Sequence, residues 1–311
     1  MSTLQETLDE YLAVRRTLGA KLRLAGRLLQ RFVEFVSHQE ATFITTDLAL
    51  RWATEPQDVQ PAQWANRLGM VRRFAQYANA IDPRNEIPPS GLLPDHYRRV
   101  PPYIYRDEEI TRLLDAAEQL PGVTGLRSHT YATLLGLIAV TGMRTNEPLH
   151  LDRQDVDLTQ GVVTVRATKF GKSRYVPIHD STSRVLQRYA VHRDRLCPHP
   201  QSPCFFLSER GTPITEWALR WTFVKLSRQI GLRTASDSHG PRLHDLRHRF
   251  AINTLLQWYQ LGVDVEGRLP YLSTYLGHAH VTDTYWYVTA TPALMELAAR
   301  RLEGAARRPL S

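Results

Sequence analysis

The sequence predicts a mainly α fold in two parts: a helical N-terminal domain, then a larger α-rich domain carrying a small antiparallel β-sheet. Three observations lead there. Apolar residues recur at helical spacing through the first part of the chain. A proline-rich, basic stretch then interrupts that pattern. Beyond it, two β-rich runs flank a Lys-Phe-Gly-Lys turn, and helical patterning resumes on both sides.

In the first part, residues 4–18 place Leu4, Leu8, Leu12 and Val14 near helical period. Residues 22–36 repeat the pattern with Leu22, Leu28, Leu29, Phe32, Val33 and Val36. They also set Arg23, Arg27 and Arg31 at four-residue steps, which puts the three on one helix face. Such a stripe is either a solvated face or a surface for a polyanion backbone. A third helix opens at Thr45-Thr-Asp47, a capping sequence, and a fourth covers residues 62–80. The predicted division is a helical domain over 1–86, a linker over 87–105 and a second domain over 106–311. The linker holds Ile87-Pro-Pro-Ser-Gly-Leu-Leu-Pro94 and a basic Tyr97-Arg98-Arg99.

In the second part, Arg106-Asp-Glu-Glu109 supplies an acidic first turn to a helix through residue 120. Residues 131–140 read as a buried helix ended by Gly142. Residues 161–168 and 173–178 read as two strands joined at Lys169-Phe-Gly-Lys172. Most of the chain after Asp180 reads as helix.

With 42% hydrophobic and 23% charged residues, the 311-residue chain has a globular balance and room for two cores. Its longest strongly apolar run, residues 131–140, is too short to cross a bilayer. The first sixteen residues lack the basic-then-apolar pattern of a secretory signal, so a cytoplasmic location is expected. Lys and Arg number 39 against 31 Asp and Glu, a net charge of +8, and the pI is about 9.6. That surplus favours polyanionic partners, nucleic acid first. The two cysteines, Cys197 and Cys204, exclude a disulfide framework. Together with His192 and His199 they fit no familiar zinc spacing, and free thiols are the preferred reading.

Four separated clusters carry chemistry. Thr141-Gly-Met-Arg144-Thr-Asn-Glu147 places an Arg just past a glycine turn, and Lys169 sits at the hairpin tip. His244-Asp-Leu-Arg247 sets a His and an Arg three apart, on one helix face. Leu276-Gly-His278 is followed nine residues later by Tyr287, with Thr284 three before it. The order Arg, Lys, His-x-x-Arg, Leu-Gly-His, Tyr resembles the tyrosine recombinase (phage integrase) family. Arg144, Lys169, His244, Arg247, His278 and Tyr287 fill its six positions. The resemblance is detailed over residues 106–299 and covers the N-terminal helices only in outline. The stretch from Trp258 to Pro270 is longer than the family's usual spacing, which suggests a transposon-associated subgroup.

The resemblance implies a site-specific DNA recombinase, of integrase or transposase type, that cuts and rejoins strands through a 3′-phosphotyrosyl bond. The residue types suit that chemistry. Phosphoryl transfer gathers negative charge on the non-bridging oxygens, which two arginines, Arg144 and Arg247, can clamp. No cofactor is expected, and no carboxylate cluster resembles a two-metal site. A tyrosine of ordinary pKa is only about 0.1% ionised at pH 7, so Tyr287 needs a proton acceptor. His244 is the candidate, with His278 a donor to the phosphate. By resemblance Lys169 protonates the leaving 5′-oxygen; Lys172 or Arg174 are alternatives on the same hairpin. Glu147 is expected to buttress the site, His248 to pack or cap, and Tyr285 to lie off the phosphate.

Double-stranded DNA is the expected partner, with Arg23, Arg27, Arg31, Arg98 and Arg99 as candidate backbone contacts. The resemblance implies a tetramer of protomers on two DNA sites, cross-linked through a C-terminal tail over residues 292–302, and possible partnership with related recombinases. Two other readings compete: a type IB topoisomerase-like nicking-closing enzyme, and a catalytically idle DNA-binding accessory protein.

Overall fold

The computed structural model describes residues 3–96, 101–166, 173–237, 240–288 and 291–306. Lys169, Lys172, Arg98 and Arg99 lie outside the described residues. The chain divides into two compact units, Met1–Val100 and Pro101–Ser311.

The first unit packs four helices: α1 (Leu4–Thr17), α2 (Arg23–His38), α3 (Thr46–Thr54) and α4 (Pro61–Ile81). Three of them, α1, α3 and α4, start on a local signal. Thr3 and Glu6 form a reciprocal capping box on α1, and the Thr45 side chain caps α3 by accepting from Leu48 N. Pro61 sits in the first turn of α4, where no N–H is needed. The apolar faces meet in one core around Leu8, Leu29, Phe32, Val36, Trp52, Leu68 and Phe74. Asn85 Oδ1 accepts from Ile44 N at 2.9 Å and Glu86 accepts from Thr46 N at 2.7 Å, tying the end of the unit to the start of α3. The proline-rich stretch begins attached to this unit. Arg72 on α4 donates to the carbonyls of Pro88 and Pro89, and Leu93 packs on the core.

The second unit opens with α5 (Asp107–Glu118) and α6 (Leu126–Thr141), then a single turn α7 (Asn146–Leu149). A three-stranded antiparallel sheet follows, in the order β1 (Val156–Asp157), β2 (Val162–Val165), β3 (Arg174–Pro177). Val163 pairs with Val176 and Val165 with Arg174, so the two valines Val163 and Val176 point into the core together. The helices α8 (Asp180–Leu196) and α9 (Glu216–Gln229) complete a core that includes Leu134, Leu135, Ile138, Phe205, Phe206, Phe223 and Leu246. Cys197 and Cys204 pack at its edge as free thiols.

Four last helices surround a smaller core: α10 (Asp245–Gln260), α11 (Val265–Leu276), α12 (Thr282–Val288) and α13 (Pro292–Ala306). The long stretch from Trp258 to Pro270 is absorbed as helix. α10 runs on to Gln260, Gly262 makes a left-handed turn, and Asp264 caps α11, which contains Pro270. The tail helix α13 lies on α10 of its own chain and buries Leu294 completely, while Met295 stays exposed.

Candidate active site

The site forms where two helices end. Gly142 closes α6 at a φ of 61°, and a Cβ there would come within 2.5 Å of the Phe250 ring. Gly277 closes α11 at a φ of 71°, and a Cβ there would collide with the Arg174 guanidinium at 2.7 Å. Both helix ends leave carbonyls without partners of their own. Arg247, one turn into α10, takes up one from each end. Its Nη1 donates to Gly142 O at 2.8 Å and its Nη2 to Leu276 O at 2.9 Å. The side chain is only 2% exposed. A buried cation is thus held by two helix C-termini, whose dipoles favour positive charge. Burial pulls the guanidinium down to about 10, so it stays protonated at neutral pH.

Arg144 follows the Gly142 turn. Its backbone N–H and Nη1 donate to the two oxygens of Glu147 at 2.8 and 3.0 Å, and its Nη2 to Gly277 O. Roughly a third of its side chain remains exposed, so one face stays open to a ligand. Glu147 is buried and serves a second arginine as well. Arg174 on β3 meets it bidentately at 2.9 and 2.7 Å and donates through Nε to Tyr275 O at 2.7 Å. Burial pushes the Glu147 carboxyl up, but the hydrogen bonds and charges of Arg174 and Arg144 outweigh it and hold the group below its ordinary value. Two guanidiniums on one carboxylate, with the Arg247 cation near them, leave a surplus of positive charge, which suits a phosphodiester.

This arrangement removes one expectation. Arg174, considered as an alternative acid on the hairpin, is 9% exposed and tied to Glu147 and Tyr275, so it cannot present a proton to a leaving oxygen. Glu147 holds Arg144 and Arg174, the contacts a buttressing residue would make.

Tyr287 lies on α12 and is 3% exposed, whereas Tyr285 is 49% exposed and turned to solvent. Residues two apart on a helix point in nearly opposite directions. The His278 ring lies parallel to Tyr287, centroids 6.1 Å apart, and its Nδ1 is held at 2.7 Å by the hydroxyl of buried Thr284. That contact explains the Thr-x-x-Tyr step. His244 stands immediately before α10, and His248 lies one turn on with its ring edge against it at 4.8 Å. Nδ1 of His248 sits 3.3 Å from the Tyr287 hydroxyl. The sequence reading gave His248 a packing role and assigned the tyrosine's proton to His244. The i, i+4 relation to His244, which shares its face, is the signal that could have found it.

Burial lowers all three imidazoles below the ordinary histidine value, with nearby arginine charge assisting. His278 comes down to about 4 and His248 to about 3. His244 falls for the same reasons, but it keeps open surface and solvent screens it more. Burial raises Tyr287, and the Arg247 charge opposes that rise. The resting site therefore holds neutral histidines, a protonated tyrosine and fixed cations.

Arg144, His244, Arg247, His278 and Tyr287 are thus brought together by the ends and starts of α6, α10, α11 and α12. Arg23, Arg27 and Arg31 lie exposed along α2 in the first unit.

This fold and this residue set are those of a tyrosine recombinase. The family model described as "Phage integrase family" matches residues 104–293, and the chain belongs to that family. A relative named "Putative integrase/recombinase y4rB", from Sinorhizobium fredii, is 51% identical over 307 residues, covering 97% of this chain and 98% of its own. A second from the same organism, "Putative integrase/recombinase y4rE", is 38% identical over 97% of both chains. Among solved structures, the Tn1549 transposon integrase in complex with transposon right-end DNA covers 98% of this chain and all of its own, at a TM-score of 0.69 and 15% identity. The XerH site-specific recombinase bound to palindromic difH substrate covers 89% of this chain and 78% of its own, at 0.65 and 21%. At these identities the structural likeness concerns the fold.

Proposed function

We propose that this protein is a site-specific DNA recombinase that breaks and rejoins strands through a 3′-phosphotyrosyl intermediate on Tyr287. The observation that carries the reading is the buried Tyr287 hydroxyl set among His278, His248 and the Arg247 cation, beside a half-open Arg144. Arg144 and Arg247 receive the non-bridging oxygens, His278 and His244 complete the cradle, and Lys169 protonates the leaving 5′-oxygen. The covalent bond conserves the phosphodiester's energy, so a second 5′-hydroxyl reseals it without ATP. Duplex DNA is the substrate, and protomers work as a tetramer on two sites in the cytoplasm. Membership of a transposon-associated subgroup rests on the extended α10–α11 region.

The test uses two labelled duplexes tiled from the DNA around the gene, incubated with the full chain in EDTA. A recombinase yields strands exchanged between the duplexes. With a supercoiled plasmid carrying the same DNA added in parallel, a topoisomerase-like enzyme yields adduct and relaxed circles without exchange, and an idle binder yields neither. Lys169→Ala should slow cleavage of ordinary DNA far more than it weakens binding. A 5′-bridging phosphorothiolate leaves without protonation, so it should restore most of that rate. Cleavage that stays slow moves the role to Lys172.

A further inference from the structure

We propose that His248 is the proton acceptor for Tyr287: as the tyrosine attacks, its phenolic proton passes to Nδ1 of His248. The inference deepens the reading above and rests on it. The family pattern places chemistry on His244 and Arg247, yet the imidazole within reach of the nucleophile is the next residue along.

Geometry is the first argument. A general base must sit within hydrogen-bond distance of the proton it takes, and contacts in a ligand-free site are often somewhat long. His248 Nδ1 lies 3.3 Å from the Tyr287 oxygen, with ring centroids 5.5 Å apart. His278, the other histidine against the tyrosine, is turned away from this task. Its Nδ1 is occupied by Thr284 and its ring stacks parallel to Tyr287 at 6.1 Å.

Positioning is the second. The His248 ring is walled by His244 at 4.8 Å and by Trp286 at 5.3 Å, both edge-on, so it cannot swing away from the hydroxyl. Tyr287 and His248 come from different helices, α12 and α10; Tyr287 belongs to the small core that also buries Leu294, and His248 packs on that core through Tyr287 and Trp286. A packing histidine needs no such alignment of a ring nitrogen on one hydroxyl.

Charge is the third. Burial first, then the charges of His244, Arg242, Arg247 and His278, lower His248, so it rests neutral and able to accept. The incoming phosphate is an anion, and it favours the imidazolium once it binds between Arg144 and Arg247. Proton bookkeeping then closes. The Tyr287 O–H bond breaks toward Nδ1, the Oη–P bond forms, and the P–O5′ bond breaks with the acid's proton going to O5′. Resealing runs the same steps backwards, His248 returning the proton to the phenolate.

The experiment measures adduct formation by the full chain on a nicked duplex tiled from the DNA around the gene. His248→Asn keeps an acceptor oxygen near Nδ1 but cannot hold a proton. It should bind the duplex normally and form adduct about 10²- to 10⁴-fold more slowly. Replacing Tyr287 with a fluorotyrosine, whose phenol ionises more readily, should restore at least about tenfold of that loss, because less assistance is needed. The phosphorothiolate substrate should restore none of it. That pair of responses is the reverse of the one expected for Lys169→Ala, and a structural role would give neither. Adduct at the wild-type rate in His248→Asn overturns the proposal, as does a slow variant that fluorotyrosine leaves unchanged. If the variant fails to fold, the wild-type pH profile decides. Assistance by an imidazole predicts a rate that levels off by about pH 8, and a tenfold rise per pH unit toward the phenol's own pKa contradicts it. Absence of any adduct from wild-type chain would instead overturn the recombinase reading itself.

Discussion

Arginine is used in two opposite ways in the two units of this chain. On α2 of the first unit, Arg23, Arg27 and Arg31 stand exposed in a row on the helix surface. In the second unit Arg247 and Arg174 are almost wholly buried, and every direction of their guanidiniums named above ends on a carbonyl or on Glu147. An exposed row of cations can follow a phosphate backbone and adds affinity that salt screens. A buried cation fixed by two helix ends does not have to reorganise when charge develops beside it, which is where electrostatic catalysis gains most. The contrast teaches that the same side chain supplies binding in one place and transition-state stabilisation in the other, according to what holds it.

The contrast is broken or sharpened most strongly at Arg247. Arg247→Ala removes a phosphate ligand and orphans the carbonyls of Gly142 and Leu276, each costing about 1–3 kcal/mol. Adduct formation should fall by about 10²- to 10³-fold or more, and thermal unfolding should move down together with it. Normal adduct formation in a stably folded variant would remove Arg247 from the chemistry.

Next in size is Glu147→Gln. Loss of one partner from a buried ion pair costs about 3–5 kcal/mol, here because Arg174 and Arg144 lose their shared counter-charge. The sign of its pH dependence follows from the direction of its pKa. Glu147 is held below its ordinary 4.5 in the folded chain, so its contribution is complete above that value and fades as pH falls through the folded one. Denaturant unfolding should therefore show wild type and Glu147→Gln converging in stability on acidification below about pH 4.5. A gap that stays constant would mean that the carboxylate is not what the substitution removes.

The smallest effects belong to the stripe. Arg23, Arg27 and Arg31 changed together to Ala should leave folding intact and lower DNA affinity, reducing the slope of log affinity against log salt by about 2 to 3. An unchanged slope would make the stripe a solvated face only.

Much of this was readable in the sequence, for local reasons. The helices of the first unit follow from apolar spacing, and α3 begins where Thr45 can cap it. Gly142 and Gly277 mark helix ends because the backbone there is left-handed. Spacing from His278 and the Thr-x-x-Tyr step favour Tyr287 over Tyr285, and the two differ sharply in burial. What sequence could not supply was the meeting of distant segments. Arg174 looked like a hairpin side chain with a free head, yet its fork is taken up by Glu147, 27 residues earlier, and by the Tyr275 carbonyl, 101 residues later. His248 looked like a packing residue because helical spacing fixes a face but does not say which hydroxyl from another helix will meet it. The extra length before Pro270 showed in the sequence as spacing alone; the structure divides it between the end of α10 and the start of α11, which Asp264 caps.

The central claim is that Tyr287 is the nucleophile, and substitution of one oxygen tests it most directly. Tyr287→Phe keeps the ring that stacks on His278 and packs against His248 and Trp286, so the fold and DNA affinity should stay within a few fold of wild type. On a nicked suicide duplex that loses its 5′-hydroxyl fragment, wild-type chain and Tyr285→Phe should accumulate a 3′-linked adduct that survives denaturation, and Tyr287→Phe should accumulate none. Adduct from Tyr287→Phe at the wild-type rate, or its loss in Tyr285→Phe alone, would contradict the account.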